Sequence, residues 1–224
     1  MMDRALFIRA ISRFLAGLLL VAGLLFIPAG TWDYPQGWLL IGILFVPMFI
    51  GGLVMMKKNP ELLKKRLNVR EQEAEQRSVI LFSGIMFLAA FLSAGLSFRY
   101  NRLMLPVPVS IIAAVVFLAA YALYAEVLRE NTYLSRTVEV QEDQKVIDTG
   151  LYGIVRHPMY MVTVLLFLAM PLVLGSVISF VIMLCYIPII AKRIRNEEQV
   201  LQEGLPGYGK YMEKVKYRLF PFIW

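Results

Sequence analysis

One short segment combines a cation, an imidazole and two glycines just before an apolar block. It has the sequence Gly-Leu-Tyr-Gly-Ile-Val-Arg-His-Pro-Met-Tyr over residues 150–160. Pro158 suits the first position of a helix, where its missing N–H costs nothing. The N–H groups of such a helix start, with Arg156 and His157, could bind an anionic group such as a carboxylate, and the glycines would let the backbone approach it. An ordinary membrane-interface segment, with Tyr in the aromatic belt, would explain the same residues.

Two neighbouring carboxylates, Glu197 and Glu198, follow the last apolar block. Arg193 precedes Glu197 by four residues, so ordinary surface pairing along a helix is one interpretation. The other starts from Gly175 and Ser176, which join the last two apolar blocks and predict a helical hairpin. That hairpin would bring a carboxylate opposite the first segment, where it could bind an amine.

A cation and N–H donors facing a carboxylate suit the zwitterionic head of an amino acid. S-adenosylmethionine carries such a head, and free amino acids and zwitterionic lipids carry comparable groups. A third segment, residues 205–221, contains Gly207, Tyr208, Tyr211 and Pro221. It could enclose a ligand or simply lie on the membrane surface.

Composition favours a membrane protein. The 224 residues are 59% hydrophobic, and the mean hydropathy is +0.66, which is too apolar for a soluble domain of this length. The sequence has one Cys, Cys185, and one His, His157, so neither an intrachain disulfide nor a Cys/His-rich metal site is expected. The net charge of +7 is interpreted as membrane-lipid contact rather than nucleic-acid binding.

Six apolar blocks predict an all-α integral membrane protein of about six transmembrane helices. The blocks cover residues 14–30, 36–56, 78–98, 104–126, 159–174 and 176–191. The first four are long enough to span a bilayer. The last two are short and form the predicted hairpin 159–191, whose second arm is expected to continue beyond the membrane through Leu201.

The basic residues orient these helices. With both termini in the cytoplasm, all 23 Lys and Arg residues except Arg99 and Arg102 fall on the cytoplasmic side, as the positive-inside rule requires. The predicted organisation is an N-terminal transmembrane hairpin, a solvated charged linker, two further helices, and a cofactor-binding catalytic region with a C-terminal tail. These parts cover residues 1–56, 57–77, 78–126 and 127–224.

The motifs of the C-terminal half resemble those of the isoprenylcysteine carboxyl methyltransferase family, with phospholipid N-methyltransferases as more distant relatives. The resemblance covers roughly residues 125–224. It rests on Arg156-His157-Pro158-x-Tyr160, the hairpin, Glu197-Glu198, Gly207-Tyr208 with Tyr211, and the final Arg218-Leu219-Phe220-Pro221. It implies a membrane-embedded S-adenosylmethionine-dependent methyltransferase without a Rossmann domain. The cofactor would be enclosed on the cytosolic side by the loop before the hairpin and by the tail.

The resemblance and the residue types together give the predicted site. The cofactor-binding candidates are Gly150, Tyr152, His157, Tyr160, Glu197 and Glu198. The catalytic candidates are Arg156, Arg193 and Glu198, and no metal is expected. Val162 stands where many relatives have glycine, two residues after the motif tyrosine.

Methyl transfer from a sulfonium needs mainly alignment and exclusion of water. A carboxylate acceptor requires only a cation to position it, whereas an amine or thiol acceptor needs a base, for which Glu198 or His157 could serve. The acceptor would be a lipophilic or lipidated molecule that enters from the bilayer. Two alternatives stay open at this stage: an NADPH-dependent membrane reductase of the sterol-reductase type, and a small non-enzymatic membrane transporter.

Overall fold

The computed structural model of the chain describes residues 4–67, 74–134 and 140–224, with side chains from residue 78 onward in the second segment. Helices dominate these segments, which confirms the predicted all-α membrane fold. They are α1 Arg4–Ala29, α2 Pro35–Lys58, α3 Pro60–Leu67, α4 Ala74–Arg99, α5 Val107–Glu130, α6 Pro158–Val173, α7 Val177–Met183, α8 Tyr186–Gly204 and α9 Tyr208–Lys214, with a 3-10 turn at Gly150–Gly153.

Five helical stretches of the described residues are long and apolar enough to cross a membrane. They are α1, α2, the Ser78–Arg99 part of α4, α5, and the continuous stretch Val177–Gly204 that combines α7 and α8. The sixth apolar helix, α6, has only 16 residues. As predicted, the second arm of the hairpin extends past residue 191, because α8 ends at Gly204. Pro188 lacks the N–H that would bond to the Leu184 carbonyl, which accounts for the break between α7 and α8.

The tip of the hairpin is buried under the loop that joins α4 and α5. Gly175 turns the chain with φ +73°, and its carbonyl accepts a hydrogen bond from the Leu105 N–H at 2.7 Å. The Ser176 hydroxyl accepts from the Ser179 N–H at 3.2 Å and so caps α7. The hydroxyl of Tyr34, the residue before α2, donates to the Leu174 carbonyl at 2.8 Å. These bonds fix α6 and α8 relative to the long helices.

The core lies mainly between α5 and α6, with contributions from α1, α2 and α4. Phe117 of α5 and Val162 of α6 are fully buried there. The valine at position 162 therefore packs closely in this core. Helix α5 also continues through the predicted boundary at residue 126 to Glu130, and the division into four parts stays a prediction.

The charged segment after α2 does not behave as a solvated linker where it is described. Leu62 and Leu63 of α3 are buried, and Leu63 packs with Leu6 and Met56 at the ends of α1 and α2. Over residues 60–67 the predicted solvated linker helix is thus solvated on one side only, because two adjacent leucines give it an apolar face. The rest of the predicted linker includes residues 68–73, which lie outside the described residues.

The predicted orientation can be tested with single cysteines in a Cys185→Ser background. Arg102 is exposed between α4 and α5, and Lys210 is exposed on α9. We expect Arg102→Cys to react with a membrane-impermeant maleimide added to intact cells, and Lys210→Cys to react only after permeabilisation. The opposite labelling pattern would reverse the orientation, and labelling of both in intact cells would contradict the topology.

A second prediction concerns the close approach of α1 and α4 at Gly95. A Cβ atom on Gly95 would lie 2.5 Å from the Leu25 carbonyl oxygen, whereas a Cβ on Gly84 of the same helix would meet nothing within 4 Å. Because overpacking typically costs about 1–3 kcal/mol, we expect Gly95→Ala to lower the apparent melting temperature in detergent by several degrees. Gly84→Ala is the matched control and should leave it unchanged or higher. Equal melting temperatures for the two variants would refute this packing.

Candidate functional site

A buried carboxylate, Glu198 of α8, joins three parts of the chain. Its Oε1 accepts from Arg156 Nε at 2.7 Å and lies 3.2 Å from His157 Nε2. Its Oε2 accepts from Arg218 Nε at 2.7 Å. Glu198 is only 4% exposed and Arg156 only 7%, so each needs the other to offset the loss of hydration. The Glu198 cluster, defined by these four residues, ties α8 to the segment before α6 and to the C-terminal tail.

Backbone bonds reinforce the same junction. The N–H groups of Arg156 and His157 donate to the carbonyls of Tyr217 and Arg218, both at 2.9 Å. The Arg156 guanidinium also donates through Nη1 to the Val215 carbonyl at 2.7 Å. The backbone N–H groups of Arg156 and His157 are therefore bonded within the protein. Anion binding by the N–H groups at the start of α6 stays a prediction.

A second polar group surrounds the Tyr160 hydroxyl on the first turn of α6. Arg193 Nε donates to this hydroxyl at 2.8 Å, and the hydroxyl donates to Glu197 Oε2. The His157 ring stacks on Tyr160 with 5.7 Å between ring centres, and its Nδ1 lies 3.9 Å from Glu197 Oε1. The surface i,i+4 pair envisaged for Arg193 and Glu197 is thus part of a half-buried arrangement in which Tyr160 bonds to both.

These side chains border a cavity at the start of α6 and the C-terminal half of α8. The charge pattern predicts that these ends of the two helices lie on the cytoplasmic side. The space within the cavity, together with the open solvent at its mouth, is about 830 Å³. Its lining comes from the α5–α6 connection (residues 131–157), the start of α6, α8 and α9. The lining residues are Asn131, Tyr133, Leu134, Gln144, Lys145, Val146, Ile147, Tyr152, Arg156, His157, Met159, Tyr160, Glu197, Leu201, Leu205, Tyr208 and Tyr211.

The two adjacent glutamates occupy different environments. Glu197 lines the cavity. The described lining does not include Glu198, whose oxygens are bonded to Arg156 and Arg218 instead. Consecutive residues of an α-helix point about 100° apart, so one carboxylate faces the cavity while its neighbour faces the packed junction.

Two tyrosine hydroxyls in the cavity wall lack standard protein partners. The hydroxyl of Tyr208 is buried without a hydrogen bond among the described residues, and burial raises its pKa well above the usual range. It is therefore a protonated O–H donor at neutral pH. The Tyr152 hydroxyl is likewise buried without a bond of standard geometry among these residues, although the Asn131 side chain lies near it. Buried donors of this kind are costly unless a ligand or water accepts from them.

The presence of glycine at position 150 is explained by its close packing against Glu130. With φ +51° it passes so close to Glu130 that a Cβ atom would lie 2.3 Å from the carboxylate oxygens. Glu130 Oε1 accepts from the Thr149 hydroxyl at 2.8 Å, and Oε2 accepts from the Leu151 N–H at 3.3 Å. The described cavity lining does not include Gly150, so its small size serves the contact with Glu130.

The sequence reasoning missed most of the wall that the α5–α6 connection supplies. Tyr133, Lys145 and Ile147 line the cavity, yet no motif singled them out. The available signal was their mixture of aromatic, charged and apolar residues, which is typical of a folded loop. Such a mixture indicates packing without indicating which side chains face a ligand.

The Glu198 cluster predicts a large difference between two glutamates of α8. Glu198→Gln leaves the buried Arg156 without a counter-charge, and we expect the free energy of unfolding to fall by about 3–5 kcal/mol. Glu203→Gln, at an exposed position of the same helix, should change it by less than about 0.5 kcal/mol. Thermal unfolding in detergent measures both. Melting temperatures that agree between the two variants would show that the cluster does not hold the fold together.

Comparison with known proteins addresses the same region. The sequence model of the isoprenylcysteine carboxyl methyltransferase (ICMT) family matches residues 110–203, a span that contains Arg156, His157, Tyr160 and both glutamates. A Delta(14)-sterol reductase of Mus musculus is 26% identical over 91 residues, which is 39% of this chain and 22% of the reductase. The chain thus matches about a fifth of that relative's length. The match over residues 110–203 supports membership of the chain in the isoprenylcysteine carboxyl methyltransferase family.

Proposed function

We propose that the chain transfers a methyl group from S-adenosylmethionine to a lipophilic acceptor that reaches the site from the bilayer. The observation that carries the proposal is the cavity at the ends of α6 and α8. The Glu197 carboxylate faces this space together with the Tyr208 hydroxyl, which has no hydrogen bond among the described residues. Membership of a membrane methyltransferase family supports the reaction type.

The groups in the cavity fit the parts of this methyl donor. Glu197, held by Tyr160 and close to His157, is an acceptor for the ammonium group. The Tyr208 hydroxyl is a donor for a carboxylate or a ribose oxygen. Apolar side chains suited to the adenine ring also line the cavity; they are Leu134, Val146, Ile147, Leu201 and Leu205. When bound, S-adenosylmethionine supplies an electrophilic methyl group on a sulfonium.

The geometry supports a positioning role for the three residues predicted to be catalytic. Glu198 does not belong to the described cavity lining, and Arg156 directs its guanidinium to Glu198 and to tail carbonyls. Together they hold the cavity wall in place and keep water out of the junction. Arg193 acts through the Tyr160 hydroxyl, to which it donates, and so fixes the orientation of Glu197.

The acceptor decides whether a base is needed. A carboxylate reacts without losing a proton, whereas an amine or thiol must be deprotonated. Glu198 does not reach the described cavity lining, which leaves His157 as the base among the predicted candidates. Its Nε2 is bonded to Glu198 and its Nδ1 lies near Glu197, so the ring is held in one orientation. This arrangement suits a carboxylate acceptor best, because the chemistry then requires no proton transfer.

The partial match to a sterol reductase makes a dinucleotide the second candidate ligand. A pyrophosphate with a 2′-phosphate needs several unneutralised cations. Among the described residues, the basic side chains that line the cavity are Lys145, Arg156 and His157, and both Arg156 and His157 contact Glu198. The charge of the cavity therefore favours the sulfonium donor over NADPH.

Calorimetry with S-adenosylhomocysteine, the demethylated form of the donor, tests the proposed site. We expect saturable micromolar binding to the purified chain. Glu197→Gln should weaken it by about tenfold or more, which corresponds to at least 1.4 kcal/mol, because the ammonium loses its counter-charge. Tyr208→Phe should weaken it by a smaller factor. Glu203→Gln on the same helix is the control and should bind like the unaltered chain.

Two results would contradict the proposal. One is the absence of saturable S-adenosylhomocysteine binding together with tight NADPH binding by the same preparation. The other is unchanged affinity in both Glu197→Gln and Tyr208→Phe. If S-adenosylhomocysteine binds as expected, a second experiment identifies the acceptor. The chain is incubated with a radiolabelled methyl donor and a lipid extract of the host, and the labelled lipid is identified.

A further inference from the structure

Two large apolar side chains near the end of the tail point away from the protein. Phe222 is 88% exposed and Ile223 is 81% exposed, more than any other large hydrophobic residue among those described. The residues on either side of them are held in place, because Leu219 is buried and Trp224 is partly buried in one apolar cluster. The Tyr217 ring lies beside the exposed pair, with its centre 5.2 Å from that of the Phe222 ring.

The backbone holds Phe222 in an unusual conformation. Its φ is +66°, and the turn that contains it is closed by a hydrogen bond of 3.2 Å from the Ile223 N–H to the Phe220 carbonyl. Proline at the second position, here Pro221, and a positive φ at the third are features of a type II turn, whose third residue is normally Gly or Asn. A large aromatic residue there is strained. Burial within the chain offsets little of this strain, which favours an apolar partner outside the chain.

The turn lies beside the boundary of the membrane-spanning helices. Its flanking residues belong to the same apolar cluster as Met86 of α4 and Ile190 of α8. Met86 lies about two helical turns inside the candidate span that begins at Ser78. The exposed Lys192 of α8 donates to the Ser78 hydroxyl at 3.3 Å, and lysines are typical of the headgroup level of a bilayer. The turn therefore packs close to the level at which these helices leave the membrane.

The surface of these two helices identifies the apolar medium within reach of the turn. Helix α4 exposes Leu81, Phe82 and Ile85, and α8 exposes Ile187, as expected of helices that lipid surrounds. Phe222 continues this apolar surface at its edge. Aromatic side chains are enriched at that depth of a bilayer, where a ring can be apolar on one side and meet water on the other.

Hydrogen bonds link the turn to the Glu198 cluster. The N–H groups of Arg218 and Leu219 donate to the Trp224 carbonyl at 2.9 and 3.0 Å. The Arg218 guanidinium carbon is 5.2 Å from the centre of the Trp224 ring, and Arg218 Nε donates to Glu198 Oε2 at 2.7 Å. The position of the turn thus affects the residue that ties the tail to α8.

We propose that residues 220–224 form a membrane-interface anchor. The side chains of Phe222 and Ile223 insert among the lipids on the side of the bilayer where the cavity lies, so the partner of this surface is the bilayer itself. Insertion holds the tail against the Glu198 cluster, and the membrane thereby helps to order one wall of the cavity. The inference does not depend on the proposed methyl transfer.

A fluorescent label tests the insertion directly. Ile223→Cys in a Cys185→Ser background is labelled with an environment-sensitive fluorophore and placed in nanodiscs that hold one chain each. We expect emission at a shorter wavelength than from the same label on Lys210→Cys, which is exposed on α9. Phosphatidylcholine with a spin label near the top of its acyl chain should quench the label at 223 severalfold more strongly.

Two fluorescence results would overturn the anchor. Equal emission and equal quenching at the two positions would leave the turn in water. Short-wavelength emission without additional quenching by the spin-labelled lipid would assign the turn to a protein surface.

A second experiment needs no label. Phe222→Gly combined with Ile223→Ser removes both apolar side chains, while glycine suits the positive φ of the turn. In nanodiscs we expect the amides of Arg218 and Leu219 to exchange hydrogen about tenfold faster in this variant, measured by mass spectrometry. Leu103→Gly is the control, because Leu103 is also exposed with a positive φ but lies in the α4–α5 loop; it should leave tail exchange unchanged. Exchange in the double variant that is equal to or slower than in the unaltered chain would contradict the proposal.

Discussion

The site depends on the burial of one carboxylate. Glu198 carries a negative charge into a place where water cannot solvate it, and such a charge is tolerated only with several donors directed at it. Arg156, His157 and Arg218 provide them from two segments that are distant in sequence. Satisfying this single charge brings the segment before α6, the helix α8 and the C-terminal tail into contact. The cavity is the space that their meeting encloses on one side.

The membrane imposes a second constraint on the same elements. Helix α6 has 16 residues, fewer than a helix usually needs to cross a bilayer. Its far end is covered by the α4–α5 loop, whose Leu105 bonds to Gly175 while Tyr34 bonds to Leu174. Backbone groups that lipid could not satisfy are thereby paired within the protein. The short helix α6 thus has the α4–α5 loop at one end and the cavity at the other.

The sequence predicted those features that follow from composition and local pattern. Hydropathy located the apolar helices, and the hairpin with its extension through α8 followed from Gly175-Ser176 and the polar residues after 191. Features that depend on contacts between residues far apart in the sequence could not be predicted from it. Neither the contact of Gly150 with Glu130 nor the separate environments of Glu197 and Glu198 has a local signature. In α3, two leucines within a run of charged residues are buried, although the overall composition of the segment predicts exposure to solvent.

The opposite walls of the cavity differ in what it would cost to move them. Displacing the tail would separate Arg218 from Glu198 and break the backbone bonds to Arg156 and His157, at a cost of several kcal/mol. Displacing the described part of the α5–α6 connection before residue 148 breaks hydrogen bonds such as that between Lys65 and Gln141, but no buried ion pair among the described residues. The two walls are therefore unequal in stability. Moving the wall that the described residues of the α5–α6 connection form costs less free energy than moving the wall that the tail forms.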